Sequence, residues 1–420
     1  MNYKEAITKL KDLVYKWDNI QEVCNYIILA AVLWDSSDVH IEPLTSYVRL
    51  RYRLDWELRE VLEYQNFLHS WIVARFKIMS DLKIDESRIP QDGRISTTID
   101  GKALDLRVST LPTVHGEKIV MRIVDKSKSI PSLNKLWIEW KNYDLIEKAL
   151  SLPNGVILTS WPTWSGKSTT LYSALTSLNK INVNIMTLED PVENEVDWIS
   201  QSQVKPGIWY TFAYWLRTAL RQDPDIIMVW EMRDKETVDI AIEASLTWHL
   251  VLSTIHTNNA AETITRIINM WVQPFLIPAS VNIIIAQRLV KKLCTCKKAM
   301  LPSEIWKETL ENIKNALNLT NKEELKRRVW EKLKSPIFYK AVWCEKCDDT
   351  WYKWRVWLYE VLEITPWVKE MILAWSSAFN INNQAIKDWM ISLEQDGIIK
   401  ALNWLTSLEE VYRVAKTQNG

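Results

Sequence analysis

The stretch GVILTSWPTWSGKSTT, residues 155–170, decides the fold of this chain. It predicts a buried strand over 156–159, then a loop, and then a helix that begins at Lys167. From Trp161 to Ser168 the spacing matches the phosphate-binding pattern G-x-x-x-x-G-K-[ST] at every position except the first. The alternative, a polar turn before an ordinary helix, does not explain why Gly-Lys-Ser stands immediately before the helical run. The sequence therefore predicts a nucleoside-triphosphate site.

A loop of this kind binds phosphates through main-chain N–H groups that point inward, and the start of the helix favours the anion. The lysine neutralises charge on the β- and γ-phosphates, and the serine hydroxyl holds Mg²⁺. The predicted nucleotide-binding residues of the loop and the first helical turn are Trp161, Pro162, Thr163, Trp164, Ser165, Gly166, Lys167, Ser168 and Thr169.

Two residues of this loop conflict with phosphate binding. Trp161 and Trp164 stand where glycine is needed for positive φ and for close approach of the ligand, so an indole at either place would fill the site. The whole chain has the same bias, with 8 Gly and 24 Trp. An average glycine content of about 7% gives roughly 29 glycines in 420 residues, which is close to the combined number of both residue types.

The composition sets limits on the class of protein. A chain of 420 residues has room for two or three domains. Basic and acidic residues number 52 each, so the net charge gives no argument for a nucleic-acid partner. Residues 1–16 are amphipathic and charged, unlike a signal peptide, and the apolar run 26–33 is too short to span a membrane.

The order of the predicted elements indicates an α/β protein. Residues 1–35 predict helix, residues 57–82 show helical periodicity, and strands are predicted around 36–43, 47–55, 94–110 and 116–124. Helices and strands then alternate, with strands at 155–160, 184–189, 225–230 and 249–255. This alternation predicts a mostly parallel sheet with helices on both faces.

The composition also divides the chain into segments. The polar residues after 125 include Pro131 and are typical of a linker. We expect an N-terminal part over 1–125, a linker over 126–135, an α/β core over 136–290, a cysteine-containing part with a helical insertion over 291–360, and a helical C-terminal part over 361–420.

Two acidic segments follow the phosphate loop. Glu189, Asp190 and Glu193 cluster at the carboxyl end of a strand, where α/β sheets hold ligands, so one acid could orient the attacking water. A solvated acidic loop is the alternative. The segment 223–234 predicts a buried strand that brings Glu231 beside the phosphate loop, a Walker-B arrangement in which the acid holds Mg²⁺. The alternative is a strand that ends in a charged turn.

Histidines and cysteines complete the set of candidate residues. His249 and His256 flank one predicted strand and could sense the γ-phosphate, although a single histidine is usually a structural hydrogen-bonding group. Four of the five cysteines form two close pairs, which favours a zinc site over disulfides or free thiols. The second pair has the usual zinc spacing and the first pair is one residue short; the predicted ligands are Cys294, Cys296, Cys344 and Cys347.

These motifs resemble a known family. The chain is similar to the hexameric secretion ATPases, in particular the motors of type IV pilus assembly and type II secretion, in the phosphate loop and in SSDVHIEP, PQDGRIS, LDLRVSTLPTVHGEKIVMRI, EDPVE, RQDPDIIMV-x-EMRD, LVLSTIHTN and AQRLVKKLC. The resemblance implies a PAS-like N-terminal α/β domain and a RecA-like P-loop ATPase domain with a zinc-binding module and a helical C-terminus.

The resemblance also implies roles for single residues. Glu193 corresponds to the catalytic glutamate, Glu231 to the Walker-B acid, and His256 to the His box, which also covers position 249. Arginines such as Arg94 and Arg107 reach the nucleotide in this family when two domains close; the alternative is that both are surface charges. ATP, Mg²⁺ and Zn²⁺ are the implied ligands.

The implied function is that of a cytoplasmic homohexameric motor, peripheral to the inner face of the cytoplasmic membrane. It would hydrolyse ATP to drive pilin polymerisation or type II-like secretion, with an inner-membrane platform protein as its partner. From the sequence we expect no counterpart of the family's additional N-terminal docking domain. A nucleic-acid motor with the same core would need a basic, aromatic-interleaved stripe. The only dense basic cluster flanks cysteines, so we expect no nucleic-acid partner.

The resemblance finally gives a reason for the tryptophans. The family has glycine where this chain has tryptophan at positions 56, 161, 164, 198, 209, 215, 230, 248, 271, 343, 351, 354, 357, 389 and 404. We infer that a UGA codon is written as tryptophan where the source organism inserts glycine, as some bacterial lineages do. The native loop is then GPTGSGKS. If the tryptophans are real, the chain is instead an inactive structural subunit of a ring.

Overall fold

The computed structural model describes residues 1–17, 19–54, 57–127, 129–160, 167–205, 210–300, 305, 307–320, 322–334, 336–342, 344 and 352–415, without the side chains at 167, 324, 330 and 334. The chain divides into two compact units, Met1–Ser129 and Ile130–Gly420. Both units combine helices with a sheet, which confirms the predicted α/β class.

The first unit packs helices on an antiparallel sheet. Its elements are α1 (Tyr3–Lys16), α2 (Ile20–Leu33), β1 (Asp38–Pro43), β2 (Val48–Leu54), β3 (Glu57–Tyr64), α3 (His69–Met79), β4 (Gln91–Ile99), β5 (Lys102–Thr113) and β6 (Gly116–Asp125). Among the described residues the strand order is β3-β2-β1-β6-β5-β4, with every neighbouring pair antiparallel. Leu10, Ile27, Ile41 and Phe76 are in its buried core.

One prediction for this unit is wrong in part. Helical periodicity was expected over 57–82, but the first part of that segment is the strand β3. Val61 and Leu62 are both buried because the pairing shifts there: Leu50 lies opposite Leu62, whereas Arg51 lies opposite Glu60. This β-bulge places two successive apolar residues on the core side, which imitates the spacing of a helix.

The second unit contains the parallel sheet. Its elements up to the long strand β12 are α4 (Trp140–Leu150), β7 (Gly155–Ser160), α5 (Lys167–Leu178), β8 (Ile185–Glu189), β9 (Ser200–Gln203), α6 (Phe212–Ala219), β10 (Ile226–Val229), α7 (Lys235–Leu246), β11 (Leu250–Ile255), α8 (Ala260–Asn269), α9 (Ile277–Ser280) and β12 (Val281–Leu293). The remainder is β13 (Lys298–Ala299), α10 (Lys307–Asn318), α11 (Lys322–Lys334), β14 (Tyr339–Lys340), β15 (Tyr352–Glu363), α12 (Pro366–Leu373), α13 (Ala378–Lys387), α14 (Leu393–Leu402) and α15 (Leu408–Ala415).

The strand order of this sheet brings the motif-bearing loops to one edge. Within the described part of the chain the order is β15-β12-β7-β11-β10-β8-β9, and only β15 is antiparallel to its neighbour. The four strands predicted in the core are confirmed as β7, β8, β10 and β11. Their carboxyl ends lie at the same edge because the strands are parallel, and β7, β10 and β11 are fully buried.

The same order positions Glu231 relative to the phosphate loop. The parallel strands β7, which precedes that loop, and β10, which precedes Glu231, end at the same edge, and one strand, β11, lies between them. Strand order depends on tertiary packing, and local spacing in the sequence carries no record of it. The strand β15 continues to Glu363, and the helices α12 to α15 follow it.

Tryptophan occupies an unusual backbone conformation in this protein. Among the described residues, φ is positive at fourteen non-glycine positions, of which four are aspartate and ten are Trp17, Trp137, Trp140, Trp198, Trp248, Trp271, Trp354, Trp375, Trp389 and Trp404. Aspartate tolerates positive φ, but for a bulky side chain such a backbone angle is an outlier. Glycine adopts it without steric cost. Six of the ten are positions at which the family resemblance places glycine.

Three of these tryptophans occupy the glycine position of a helix-end motif. After α12, the N–H of Trp375 donates to Ile372 O at 3.1 Å and the N–H of Ser376 donates to Met371 O at 2.9 Å. These two bonds form a Schellman motif, in which the residue corresponding to Trp375 is left-handed and usually glycine. The ends of α13 and α14 repeat both bonds with Trp389 and Trp404 at that place.

None of the helices in the described part of the chain is both long enough and apolar enough to cross a lipid bilayer.

Candidate active site

The phosphate-loop motif lies between a buried strand and the start of a helix. Residues 161–166 lie outside the described part of the chain, as does the side chain of Lys167. The strand β7 ends at Ser160, and α5 begins at Lys167, so the N–H groups of the first helical turn lie at the carboxyl edge of the sheet. Ser168 and Thr169 are half-buried on that turn.

Both sides of the loop are anchored to neighbouring elements. Ser160 Oγ donates to Thr257 O at 3.1 Å, which joins the end of β7 to the segment after β11. Thr170 Oγ1 donates to Gln287 Oε1 at 2.7 Å, which joins α5 to β12. The start of the helix is thereby held against the sheet, and its position can support the binding of phosphate groups.

Glu231 is a buried carboxylate at the same edge, and it has two cationic or potentially cationic neighbours. His256 Nε2 lies 3.1 Å from Glu231 Oε1, and Arg233 Nε lies 2.7 Å from Glu231 Oε2. Arg233 also reaches Asp190, with its guanidinium 3.8 Å from Oδ2. The structure thus brings together residues from three predicted motifs, and it adds Arg233, which spacing alone did not distinguish from other exposed arginines.

The two histidines of the predicted His box are not brought together. His256 follows the carboxyl end of β11, whereas His249 precedes its amino end. A six-residue strand is about 20 Å long at roughly 3.3 Å per residue. The Nδ1 of His249 lies 3.0 Å from Ala244 O, which is a structural contact with the end of α7. Only His256 is at the edge that carries Glu231.

Glu189 and Glu193 differ in their surroundings. Glu189 is fully buried and accepts hydrogen bonds from Thr187 Oγ1 at 2.7 Å, Gln201 Nε2 at 2.9 Å and the Tyr172 hydroxyl. Burial raises the pKa of its carboxyl group, although these hydrogen bonds act in the opposite direction. Glu193 is half-buried in the loop that follows β8. Glu193 is therefore the more accessible of these two carboxylates, and Glu189 is held within the protein.

The candidate arginines belong to the first unit. Arg94 on β4 and Arg107 on β5 are directly opposite each other in the antiparallel register, so both side chains lie on one face of that sheet. Arg94 is about half exposed and forms an ion pair with Asp105. Arg107 is half-buried, and its register partner on β6 is Arg122. This face therefore carries several guanidinium groups side by side.

Three of the four predicted metal ligands converge in the second unit. The sulfur atoms of Cys294, Cys296 and Cys344 lie within 4.8 Å of one another, and Cys294 Sγ is 3.9 Å from Cys344 Sγ. Ligands of a tetrahedral zinc with Zn–S bonds of about 2.3 Å are about 3.8 Å apart. Burial acts to raise the pKa of Cys294, but hydrogen bonds from Cys296, Thr295 and Cys344 outweigh it and lower the pKa to about 7. Cys347 lies outside the described residues.

Comparisons with known proteins relate this chain to one family. The family model described as "Type II/IV secretion system protein" matches residues 15–413. The type II secretion system ATPase E of Vibrio cholerae is 41% identical over 415 residues, which cover 98% of this chain and 79% of that protein. The type IV pilus assembly ATPase PilB of Myxococcus xanthus is 42% identical over 413 residues, 97% of this chain and 70% of that protein.

Solved structures share the fold at lower sequence identity. The Legionella pneumophila ATPase DotB is similar with a TM-score of 0.65 and 20% identity, over 93% of this chain and 94% of that one. The pilus retraction motor PilT with bound ADP has a TM-score of 0.60 and 23% identity, over 93% of this chain and 96% of that one.

Proposed function

The chain belongs to the type II/IV secretion system protein family, and we propose on that premise that it is a motor whose ATP hydrolysis drives type IV pilus assembly or type II-like secretion. The predicted family and ATP hydrolase activity are confirmed by its secretion and pilus assembly relatives. One observation carries the proposal: the start of α5 after the phosphate loop lies at the sheet edge at which buried Glu231 pairs with His256.

The residues at this edge of the sheet have different proposed roles in phosphoryl transfer. Phosphates bind to the loop and to the N–H groups at the start of α5, with Lys167 as the charge partner of the β- and γ-phosphates. Mg²⁺ would be held by the Ser168 hydroxyl and by Glu231, whose buried carboxylate provides the hard oxygen ligands that this ion prefers. His256 would respond to the γ-phosphate, and its contact with Glu231 supports this role.

Glu193 is the proposed general base. It would accept a proton from the water that attacks the γ-phosphorus, while the bond to the ADP oxygen breaks and inorganic phosphate leaves. Its half-buried position supports this role, whereas the carboxylate of Glu189 already accepts three protein hydrogen bonds. His249 is left out of the nucleotide site because it lies at the other end of β11.

Two arginines are proposed to contribute positive charge during catalysis. Arg94 and Arg107 would stabilise the transferring phosphoryl group in a homohexamer, since an arginine that reaches this group contributes about 10³–10⁵ in rate. Their common face on one sheet supports this assignment. The partner would be a platform protein of the inner membrane, and the motor would act at its cytoplasmic face.

We also propose that the tryptophans at glycine positions are glycine in the natural protein. The ten positive-φ tryptophans support this independently of the family resemblance, because the backbone itself adopts a conformation that favours glycine. They add Trp17, Trp137, Trp140 and Trp375 to the positions inferred from the family. For Trp215, Trp230 and Trp357 the backbone angle gives no such support, since none has positive φ. An inactive ring subunit is not favoured.

The function is tested by restoring the loop. We expect the double variant Trp161→Gly with Trp164→Gly to bind and hydrolyse ATP, because the phosphate site is then free of indole, and we expect the unaltered chain to do neither. Nucleotide titration and phosphate release measure the two steps. Lys167→Ala in the restored chain should abolish ATP binding. Trp71→Gly, the same change on the exposed surface of α3, is the control and should confer no binding. A restored, folded chain that binds no ATP would contradict the proposal.

The cysteine cluster is proposed to hold zinc, with Cys294, Cys296, Cys344 and Cys347 as ligands. We expect about one zinc ion per purified chain, measured by elemental analysis, because four thiolates satisfy its tetrahedral coordination. Cys344→Ser should lose the metal. Cys24→Ser should keep it, since burial raises the pKa of Cys24 to about 12 and this thiol lies in the other unit. Well-folded protein without metal after growth with ample zinc would refute the assignment.

A further inference from the structure

The hydroxyl of Tyr172 joins two motifs of the site that are distant in the sequence. Tyr172 lies on α5 four residues after Ser168, so both side chains lie on the same face of the helix. Its side chain is fully buried. The ring therefore extends from the helix that carries the phosphate-binding turn into the interior, towards the loop that follows β8.

The Tyr172 hydroxyl contacts Glu189 at the start of the acidic segment and the backbone of Glu193 and Asn194 further along it. It donates a hydrogen bond to Glu189 and accepts from the backbone N–H groups of Glu193 and Asn194, each at 3.3 Å. A phenol has one proton to donate and an oxygen that accepts. Its hydrogen-bonding capacity is thus used entirely on Glu189 and on the backbone of the loop that carries Glu193.

Glu189, which accepts the hydrogen bond from Tyr172, is itself held by further hydrogen bonds. Thr187 Oγ1 and Gln201 Nε2 donate to its other oxygen, and Gln201 Nε2 also donates to Asn194 O at 2.9 Å. Gln201 lies on β9, which pairs with β8. The loop between them is therefore held at Asn194 from two sides, by Tyr172 at the N–H and by Gln201 at the carbonyl group.

We propose that Tyr172 is a positioning residue that couples the phosphate-binding helix to the general base. It fixes the backbone at Glu193 relative to α5, so that a bound γ-phosphate and the base keep the separation that water attack requires. This inference rests on the proposed role of Glu193. The same inference gives Glu189 a positioning role: its carboxylate holds the Tyr172 hydroxyl and takes no part in proton transfer.

The variant Tyr172→Phe removes the hydroxyl and keeps the ring. In the chain with glycine at 161 and 164, we expect kcat to fall roughly tenfold while KM for ATP stays within about twofold. The reason is that the phosphate contacts remain, whereas Glu193 loses its anchor. Glu189→Gln, which retains the shape of the acceptor, should lower kcat in the same direction. Hydrogen exchange at the amides of Glu193 and Asn194 should become faster in Tyr172→Phe.

Matched controls separate this role from a general loss of stability. The hydroxyl of the buried Tyr52 donates a hydrogen bond to Ile27 O at 2.7 Å. The variant Tyr52→Phe therefore loses a hydrogen bond comparable to that of Tyr172, but in the first unit, and its kcat should be unchanged. Glu193→Gln is the reference and should lower kcat on the order of 10²-fold. Wild-type kcat in Tyr172→Phe beside a slow Glu193→Gln overturns the positioning role alone. Full turnover in Glu193→Gln overturns the assignment of the base, and the positioning role with it.

Discussion

Trp34 in the first unit is packed against other rings, whereas Trp248 and Trp271, at helix ends in the second unit, face solvent. Trp34 stacks on Tyr3 with ring centroids 4.8 Å apart and meets Tyr52 edge-on at 6.3 Å. Trp248 and Trp271 follow helices with φ of 68° and 66°, and their side chains are 76% and 80% exposed. In the first case the indole is packed, and in the second the backbone is strained and the indole faces solvent.

This difference shows how the natural residue can be inferred from the structure. A tryptophan that the fold uses makes ring contacts at an ordinary backbone angle, since buried aromatic area stabilises the folded state. A left-handed residue at a helix end completes the hydrogen bonds of the last turn, and glycine does this without a steric cost. Trp248 and Trp271 satisfy the second description only. Trp389 and Trp404 also have positive φ, but their rings contact Lys141 and Tyr339. The same substitution should therefore have opposite effects in the two regions.

The largest effect is expected at Trp34. Trp34→Gly should lower the free energy of unfolding by roughly 3 kcal/mol, because it removes a packed ring and leaves a cavity between the two tyrosines. Chemical denaturation of the purified protein measures the change. An unchanged free energy of unfolding in Trp34→Gly would show that these ring contacts do not stabilise the protein. It would contradict the statement that the fold uses Trp34.

A smaller effect of opposite sign is expected at the helix ends. Trp248→Gly should raise the free energy of unfolding by about 1 kcal/mol, because it removes the steric cost of a side chain in the left-handed region. Trp71→Gly is the matched control, since Trp71 is 64% exposed but lies inside α3. That variant should lose about 1 kcal/mol through the low helix propensity of glycine. Equal losses at both exposed positions would show that the backbone angle at Trp248 carries no cost.

Much of this site could be predicted from local sequence. The spacing of the phosphate loop indicates Ser168. The acids that follow buried strands indicate Glu231 and the cluster of Glu189, Asp190 and Glu193, because parallel strands bring their carboxyl ends together. Only the family resemblance distinguishes Glu193 within that cluster. The order of strands could not be predicted from these patterns, so the position of β11 between β7 and β10 was missed. His249 and His256 flank one predicted strand, and the family resemblance places both in one motif, but the six residues of β11 separate them.

The link through Tyr172 was also missed, for a related reason. Its hydroxyl meets partners that are 17 to 22 residues away, and nothing in the local pattern distinguishes it from an ordinary core tyrosine. Arg233 was passed over because its two acidic partners belong to different loops. Such contacts arise only when the sheet is assembled, so only the structure can assign them.

The identity of residues 161 and 164 in the natural protein tests the central claim most directly. The protein should be purified from cells that carry the gene. The peptides that contain residues 34, 155–170, 248 and 375 should be sequenced by mass spectrometry and compared with the codons. The account predicts glycine at 161 and 164 from UGA codons, with glycine also at 248 and 375, and tryptophan at 34. Tryptophan at 161 and 164, encoded by UGG, would contradict it.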